Sequence, residues 1–459
     1  MNETQPIHAV LPGRLRVIGT GCVAEGLLPL LWRHIAVPRE RAALLGPDPQ
    51  GAVLAHRHGV AFHPCRLTPA TYAAELDRHL RPGDLLLNLA LGVGSLDLIA
   101  WCQAHQVIYV DTNLEPWAGQ HHSLAVARST ALAARAAGQP TAVIAHGANP
   151  GLVTHFLKHA LERLAPNATS WPDAARQLGL QVVQIAERDD HRESAPASPA
   201  SAMAARPPHR FANTWSALGL AGELCAPAEL SWGQHEAPPP SGASAPSPHQ
   251  PWALRWPSAG RATPVRTWTP GGGECAGYLL AHHEAFSIAE LLAPHGLEGP
   301  RRPTVYYAVR PCAAAWAGLA ALPPGGPAPD GHYPVLKQEL GEGGIELGVL
   351  LLGEGVGHWF GSRLSLAEAR RCAPDNNATS LQVAAGVLGA LVWALEHPLA
   401  GVVEAEDMDH RRVMAIAAPY LGELGGMDTP WRPPGGEPLV FPRFLLEASR
   451  ASSSTGADG

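Results

Sequence analysis

"RLRVIGTGCVAEGLLPLLWRH", residues 14–34, decides the fold. A short β-branched run ends in Gly19-Thr20-Gly21, and beyond it leucines recur at helical spacing. Gly19, Gly21 and Ala24 therefore stand in G-x-G-x-x-A spacing between an expected strand and an expected helix. The first glycine allows a tight turn and the second lets backbone approach a pyrophosphate. The third small residue lets helix and strand pack closely, with the phosphates at the helix N-terminus. A tight βα turn with no dinucleotide would show the same three residues, so the surrounding chain has to decide.

Outward from this stretch the first 150 residues alternate short apolar runs with longer helical patterns, the signature of βαβ units and a parallel sheet. The spacing predicts strands at 14–19, 42–46, 59–63, 84–90, 107–112 and 141–147. It predicts helices at roughly 23–35, 68–80, 95–105 and 120–138, with Pro29 kinking or limiting the first. The expected fold class is α/β, a doubly wound Rossmann-type sheet, joined to a second α+β body for substrate and dimerisation. "NPGLVTHFLKHALERLA" starts a helix at Pro150 and leaves the first domain. Residues 194–210 and the Pro-rich insert 234–264 read as loops, because Pro, Ser and Ala at that density offer little to bury. Strand-like pieces around them suggest a mixed sheet. The apolar stretch 378–398 reads as a buried helix returning to the first domain, and "EASRASSSTGADG" as a frayed end. The expected division is 1–150, completed by 365–459, as a nucleotide-binding domain, and 151–364 as the second domain.

Composition narrows the function classes. Thirty-three basic and 40 acidic residues give a net charge of −7 with no basic block, which argues against nucleic acid as a partner. Seven widely spaced cysteines without a CxxC pair indicate neither a disulfide framework nor a zinc site. The N-terminus lacks the basic and apolar runs of a signal peptide, and no window holds eighteen uninterrupted apolar residues. A cytoplasmic protein with no membrane partner is expected.

Residues able to carry chemistry fall at the expected carboxyl ends of strands and in a few later segments. The acid that should end the second strand and hold a ribose is displaced: Gly46 takes its place, with Asp48 two positions on and no Arg or Lys beside it, which favours NAD over NADP. Asn149, in "HGANPGL", can bond a nicotinamide or an amine, or can cap a helix. Asp111 and Glu115 end the fifth strand, with a structural role as the alternative. Glu187 lies in "QIAERDD". In "AHHEAFSI", a strand would turn His282 and Glu284 to one face and His283 to the other, too few groups for a metal. Trp215 and Glu223 share "FANTWSALGLAGEL", where an indole is either core or the face that meets a cation.

Together these motifs resemble one family, the bacterial homospermidine synthases, relatives of the saccharopine dehydrogenases. The resemblance runs from "VIGTGCVAEGLLPL" through "GSLDLIAWC", "YVDTNLEPWAG", "GANPGLV", "IAERD", "NTWSALG", "VRTWTP", "HHEAFSIAELL" and "ELGVLL" to "APDNNATSLQVAAGVLGALVWALEHPLAGVVEAEDMD" and "PYLG". It implies an NAD-dependent homodimer that transfers an aminobutyl group from putrescine, or spermidine, to putrescine through imines without net redox change. It assigns catalysis to Trp215, Glu187, Asn149, His282 and Glu284, and grip on the polyamine to Glu223; Glu115 and Glu342 are expected as further substrate contacts. Cofactor contacts are expected from Gly19, Gly21, Cys22, Val23, Asp48, Asn88, Leu89, Asp111, Thr112, Ala148, Asn149 and Pro150. Trp215 would face the substrate iminium.

Three positions depart from the family pattern. Ile345 stands where an acid precedes Glu346-Leu347-Gly348, so Glu342 or Glu346 would have to replace it, and Gly46 and Gly92 stand where acids are expected. Two other readings therefore stay open, a related dehydrogenase with net redox change and a catalytically silent polyamine- or nucleotide-binding protein.

Overall fold

A computed structural model describes residues 6–194, 210–293, 302–323, 326–328 and 331–447. The chain forms two units: Met1–His155 with Cys372–Asn376 and Ser380–Leu421, and Phe156–Arg371 with Asn377–Thr379 and Gly422–Gly459.

In the first unit six strands follow the predicted runs: β1 (Leu15–Ile18), β2 (Ala42–Gly46), β3 (Ala61–Pro64), β4 (Leu85–Asn88), β5 (Ile108–Asp111) and β6 (Ala142–Val143). All neighbours are parallel, in the order β3-β2-β1-β4-β5-β6, and Val402–Val403 adds a seventh strand beside β6. The order reverses between β1 and β4, and the carboxyl ends flanking that reversal form the crevice where doubly wound sheets bind ligands. The helix Cys22–His34 continues through Pro29 rather than stopping there. A helix that periodicity did not announce, Gln50–His58, links β2 to β3. The apolar helix Ala378–Glu396 is long enough to cross a membrane, yet 89% of its most apolar window is buried within the protein. A Cβ at Gly386 would lie 2.0 Å from the Gly147 carbonyl oxygen, so glycine lets this helix lie directly on the loop after β6.

The second unit is built on a nine-stranded mixed sheet. Its strands are β7 (Leu180–Asp189), β8 (Pro227–Ser231), β9 (Ala253–Ala259), β10 (Pro264–Thr269), β11 (Gly273–Leu280), β12 (Thr304–Arg310), β13 (Gly344–Gly353), β14 (Gly357–Ser365) and β15 (Glu423–Asp428). The order is β9-β8-β12-β7-β13-β14-β15, with β11 also paired to β12 and β10 to β11. Only β7 and β12 run parallel; the other pairs are antiparallel.

Two expectations need correction. The insert 234–264 is not loop throughout, because Ala253–Ala259 pairs with Pro227–Ser231 as strand β9. The segment 365–459 is divided, because β15 hydrogen-bonds to β14 and belongs to the second unit. The expected loop at 194–210 and the frayed end after Glu447 fall almost wholly outside the described residues.

Candidate active site

The two units carry different chemistry and each is built from its own residues. In the first, β1 ends at Gly19, whose φ of 94° lies in the left-handed region open to glycine. A Cβ there would sit 2.8 Å from the Leu89 carbonyl, so the turn also needs glycine for its closeness to the end of β4. Gly21 caps the helix Cys22–His34 without a side-chain bond, and a Cβ on it would meet nothing within 4 Å. An uncapped helix N-terminus beside open space fits a pyrophosphate. Asp48 is exposed, and one of its oxygens accepts the Gln50 N–H at 2.9 Å.

Beyond β6 the loop from His146 to Gly151 is folded by Gly147 N–H donating to the Pro150 carbonyl at 2.6 Å. Both amide atoms of Asn149 are shut from solvent without a hydrogen-bond partner among the described residues. An amide left so carries a desolvation cost that a bonding ligand would relieve, and this observation fits a nicotinamide or amine contact. Ala148 and Pro150 are buried beside it, whereas Thr112 is half-buried.

Other expected contacts of this unit turn out to support the sheet edge. Asp111 is fully buried and accepts from Ala145 N–H at 2.6 Å and the Tyr109 hydroxyl at 2.8 Å, so its carboxylate ties β5 to the segment after β6. Asn88 accepts from Ala90 N–H at 3.2 Å and shapes the turn after β4. Glu115 accepts from Gly92 N–H at 3.1 Å and the Asn113 amide at 3.0 Å, which bridges two loops of the first unit. Gly92 itself has a φ of 67° and lies against Ala118.

The second unit assembles the acidic residues. Glu187, near the end of β7, is buried and accepts a hydrogen bond from the Tyr307 hydroxyl of β12 at 2.8 Å. His282 follows β11, and its ring lies 4.2 Å from that of Tyr307, centroid to centroid. One of its nitrogens is 3.5 Å from Glu223, on the helix Ala217–Cys225, and the other 3.8 Å from Glu284. Sequence had placed Glu284 on a strand with His282. It opens the helix Glu284–Leu292 instead, where the helix dipole favours its negative charge, and it still reaches the imidazole.

Burial shifts these groups strongly. Removal from water pushes the Glu187 carboxyl up to about 7, against the Tyr307 hydrogen bond that holds it down, and with Asp189 adding to the rise. For His282 burial acts downward, but Glu223, Glu284 and Glu187 together outweigh it and the imidazole is raised. The Tyr307 hydroxyl, buried beside Glu187, is held well above its ordinary range and stays protonated. Trp215 is half-buried, not core, and precedes Ser216, the residue capping the helix that carries Glu223. Its ring lies over Gly219 in that helix, 3.4 Å from where a Cβ would be.

Sequence reasoning missed Tyr307. In "TVYYAVR" it reads as one more apolar strand residue, and its register opposite Ile185, one strand from Glu187, is set only by the sheet. Glu342 was misplaced: it is exposed, 3.7 Å from Arg192, and stands outside the cluster. Glu346, the other residue expected to stand in for the acid missing at Ile345, is held on the other side of the sheet. It pairs in register with Arg188, on the opposite face from Glu187, and accepts from the Thr269 hydroxyl and Gly271 N–H, each at 2.7 Å. Ile345 is the residue opposite Asp189 on the Glu187 face, and it is buried.

Comparison with known proteins covers nearly the whole chain. The family model of the saccharopine dehydrogenase NADP binding domain matches residues 15–143, and that of the saccharopine dehydrogenase C-terminal domain residues 147–429. A homospermidine synthase of Blastochloris viridis is 37% identical over 467 residues, covering 96% of this chain and 96% of its own. One from Mesorhizobium japonicum is 36% identical, over 97% of this chain and 96% of its own. The crystal structure of the Legionella pneumophila homospermidine synthase in complex with NAD is 35% identical. It superposes with a TM-score of 0.83 over 93% of each chain.

Proposed function

The chain belongs to the homospermidine synthase family, and from that membership we infer NAD-dependent, net redox-neutral aminobutyl transfer, with putrescine as donor and acceptor. The observation that carries the reading is the gathering of Glu187, Glu223 and Glu284 around the single imidazole of His282. Such a group of carboxylates favours the charged form of an amine brought beside it, as a diammonium substrate would be.

When bound, NAD supplies a place to which a hydride can leave the amine-bearing carbon and from which it can return. Gly19, Gly21 and the N-terminus of the helix Cys22–His34 would hold its phosphates, Asp48 a ribose hydroxyl, and Asn149 the carboxamide. The protein's own groups manage charge and protons. One putrescine loses a hydride and becomes an iminium; the amine of a second adds to that carbon, and ammonia leaves. Return of the hydride to the new iminium gives homospermidine, so two putrescines yield one product and one ammonia. Glu223 and Glu187 hold ammonium ends, while His282, with carboxylates on both sides, passes protons to and from the reacting nitrogens. The Trp215 ring attracts the iminium, worth about 2 kcal/mol where water is excluded. Glu187 must be ionised to hold a cation, so kcat/KM rises as pH rises through about 7. We also propose that the protein works as a cytoplasmic homodimer.

Incubation with putrescine and NAD, followed by mass spectrometry and absorbance, tests this. Homospermidine with no lasting NADH is expected. Lasting NADH without homospermidine would overturn it in favour of a dehydrogenase.

A further inference from the structure

Trp215 sits in an irregular segment just before a helix, yet a cation–π contact demands that its ring be held in one place. The preceding residue shows how. Thr214 is fully buried, and its hydroxyl donates to the carboxylate of Asp189, which also accepts from Thr379 at 3.3 Å. The other carboxylate oxygen of Asp189 accepts from His191 N–H at 3.0 Å and from its ring at 2.8 Å. A carboxylate only accepts, so His191 carries its proton on Nδ1. The Thr214 carbonyl accepts from the Asn377 amide, which also donates to the Leu336 carbonyl at 2.8 Å. The hydroxyl and the carbonyl of Thr214 are thereby fixed. Asp189 lies two residues beyond Glu187 on the same face of β7, so one strand holds a glutamate of the cluster and anchors the tryptophan segment.

We propose that Asp189, through the Thr214 hydroxyl, is a positioning residue for Trp215, setting the indole for the cationic substrate. The assignment deepens the homospermidine synthase reading and rests on it for the kinetic effect, whereas the placement of the indole does not. Asp189 touches no reacting atom. Its carboxylate is enclosed by His191, Thr214 and Thr379, and Ile345 is its cross-strand neighbour.

The test uses the full-length enzyme and two readouts. Thr214→Val removes the hydroxyl at nearly constant volume and Thr214→Ser keeps it. With all 13 tryptophans replaced by 5-fluorotryptophan, the fluorine resonance absent from Trp215→Leu identifies Trp215. Thr214→Val is expected to shift or broaden that resonance, and Thr214→Ser to leave it in place. An unmoved resonance in Thr214→Val would overturn the proposal. Turnover of Thr214→Val on putrescine should fall roughly tenfold, mainly in kcat. In the Trp215→Leu background the same change should cost nothing further. Effects that multiply would show that Thr214 acts independently of the indole and would also overturn it. If the wild type makes no homospermidine, the functional reading fails, and the fluorine spectra still decide the positioning.

Discussion

A buried carboxylate of the first unit, Glu404, and the Glu187 and Glu223 carboxylates of the second are matched in opposite ways. In the first, Glu404 faces Arg128, with guanidinium bonds to both oxygens, the longer 2.8 Å, and both side chains nearly inaccessible. The cation is part of the fold and the charge is settled. In the second, Glu187 meets a phenol and lies near an imidazole, and the charged partner of Glu223 among the described residues is that same imidazole. Here a phenol and an imidazole, rather than a guanidinium, are the partners of Glu187 and Glu223. A buried acid with its own arginine holds the chain together, whereas acids matched to a phenol and an imidazole keep the capacity to meet a cation arriving from solution.

The largest effect that tests this contrast is on stability. Arg128→Ala leaves Glu404 buried without its guanidinium and should cost about 3–5 kcal/mol in urea unfolding, while the paired Arg128→Met/Glu404→Leu change should cost much less. Trp215→Leu should leave unfolding nearly unchanged and lower kcat on putrescine about thirtyfold or more, the equivalent of about 2 kcal/mol. If it unfolds the protein instead, the indole is a packing residue.

Glu187→Gln sharpens the comparison through pH. The folded carboxyl titrates near 7, above its ordinary 4.5, so its contribution to stability is full below about 4.5 and is lost as pH rises through about 7. His282, also raised, acts in the same direction from 6.5 upward. Glu187→Gln should therefore gain stability relative to wild type between pH 4 and pH 8, while the pH-dependent rise of kcat/KM near 7 disappears. An unchanged limb would remove Glu187 from substrate binding. The smallest effect is expected from Tyr307→Phe. Loss of its hydrogen bond to Glu187 should move the same limb upward by about half to one pH unit, leaving kcat at high pH close to wild type.

The first sheet was legible because its information is local. Most strands of this sheet are apolar runs closed by a turn, and Gly19 and Gly21 mark the turn after the first of them. The helix Gln50–His58 escaped notice because "QGAVLAHRH" is short and weakly patterned, and Asp48, read as a ribose ligand, also braces its start. The acidic cluster was legible residue by residue through resemblance, but its wiring was not. Tyr307 reaches Glu187 across 120 positions, and no local pattern carries that. Glu342 and Glu346 were misjudged for a related reason. A strand's two faces differ by a single residue, and the register that puts Ile345 rather than Glu346 beside Asp189 is a property of the pairing.

The Val402–Val403 strand has a consequence for how the protein is made. It joins the sheet beside β6, with Gly401 accepting from Ala142 and Val403 from Ile144, although more than half the chain separates them. A ribosome that has finished β6 has therefore not yet made the strand that covers it, and the second unit up to Thr379 emerges in between. Residues 1–155 released alone would expose the flank of β6, an open edge of the kind that draws chains into aggregates. A gene cut at that boundary is expected to give an aggregating first half unless residues 372–421 are supplied with it. Selection on the late segment around residue 402 is in effect selection on whether the earliest-made domain can finish folding.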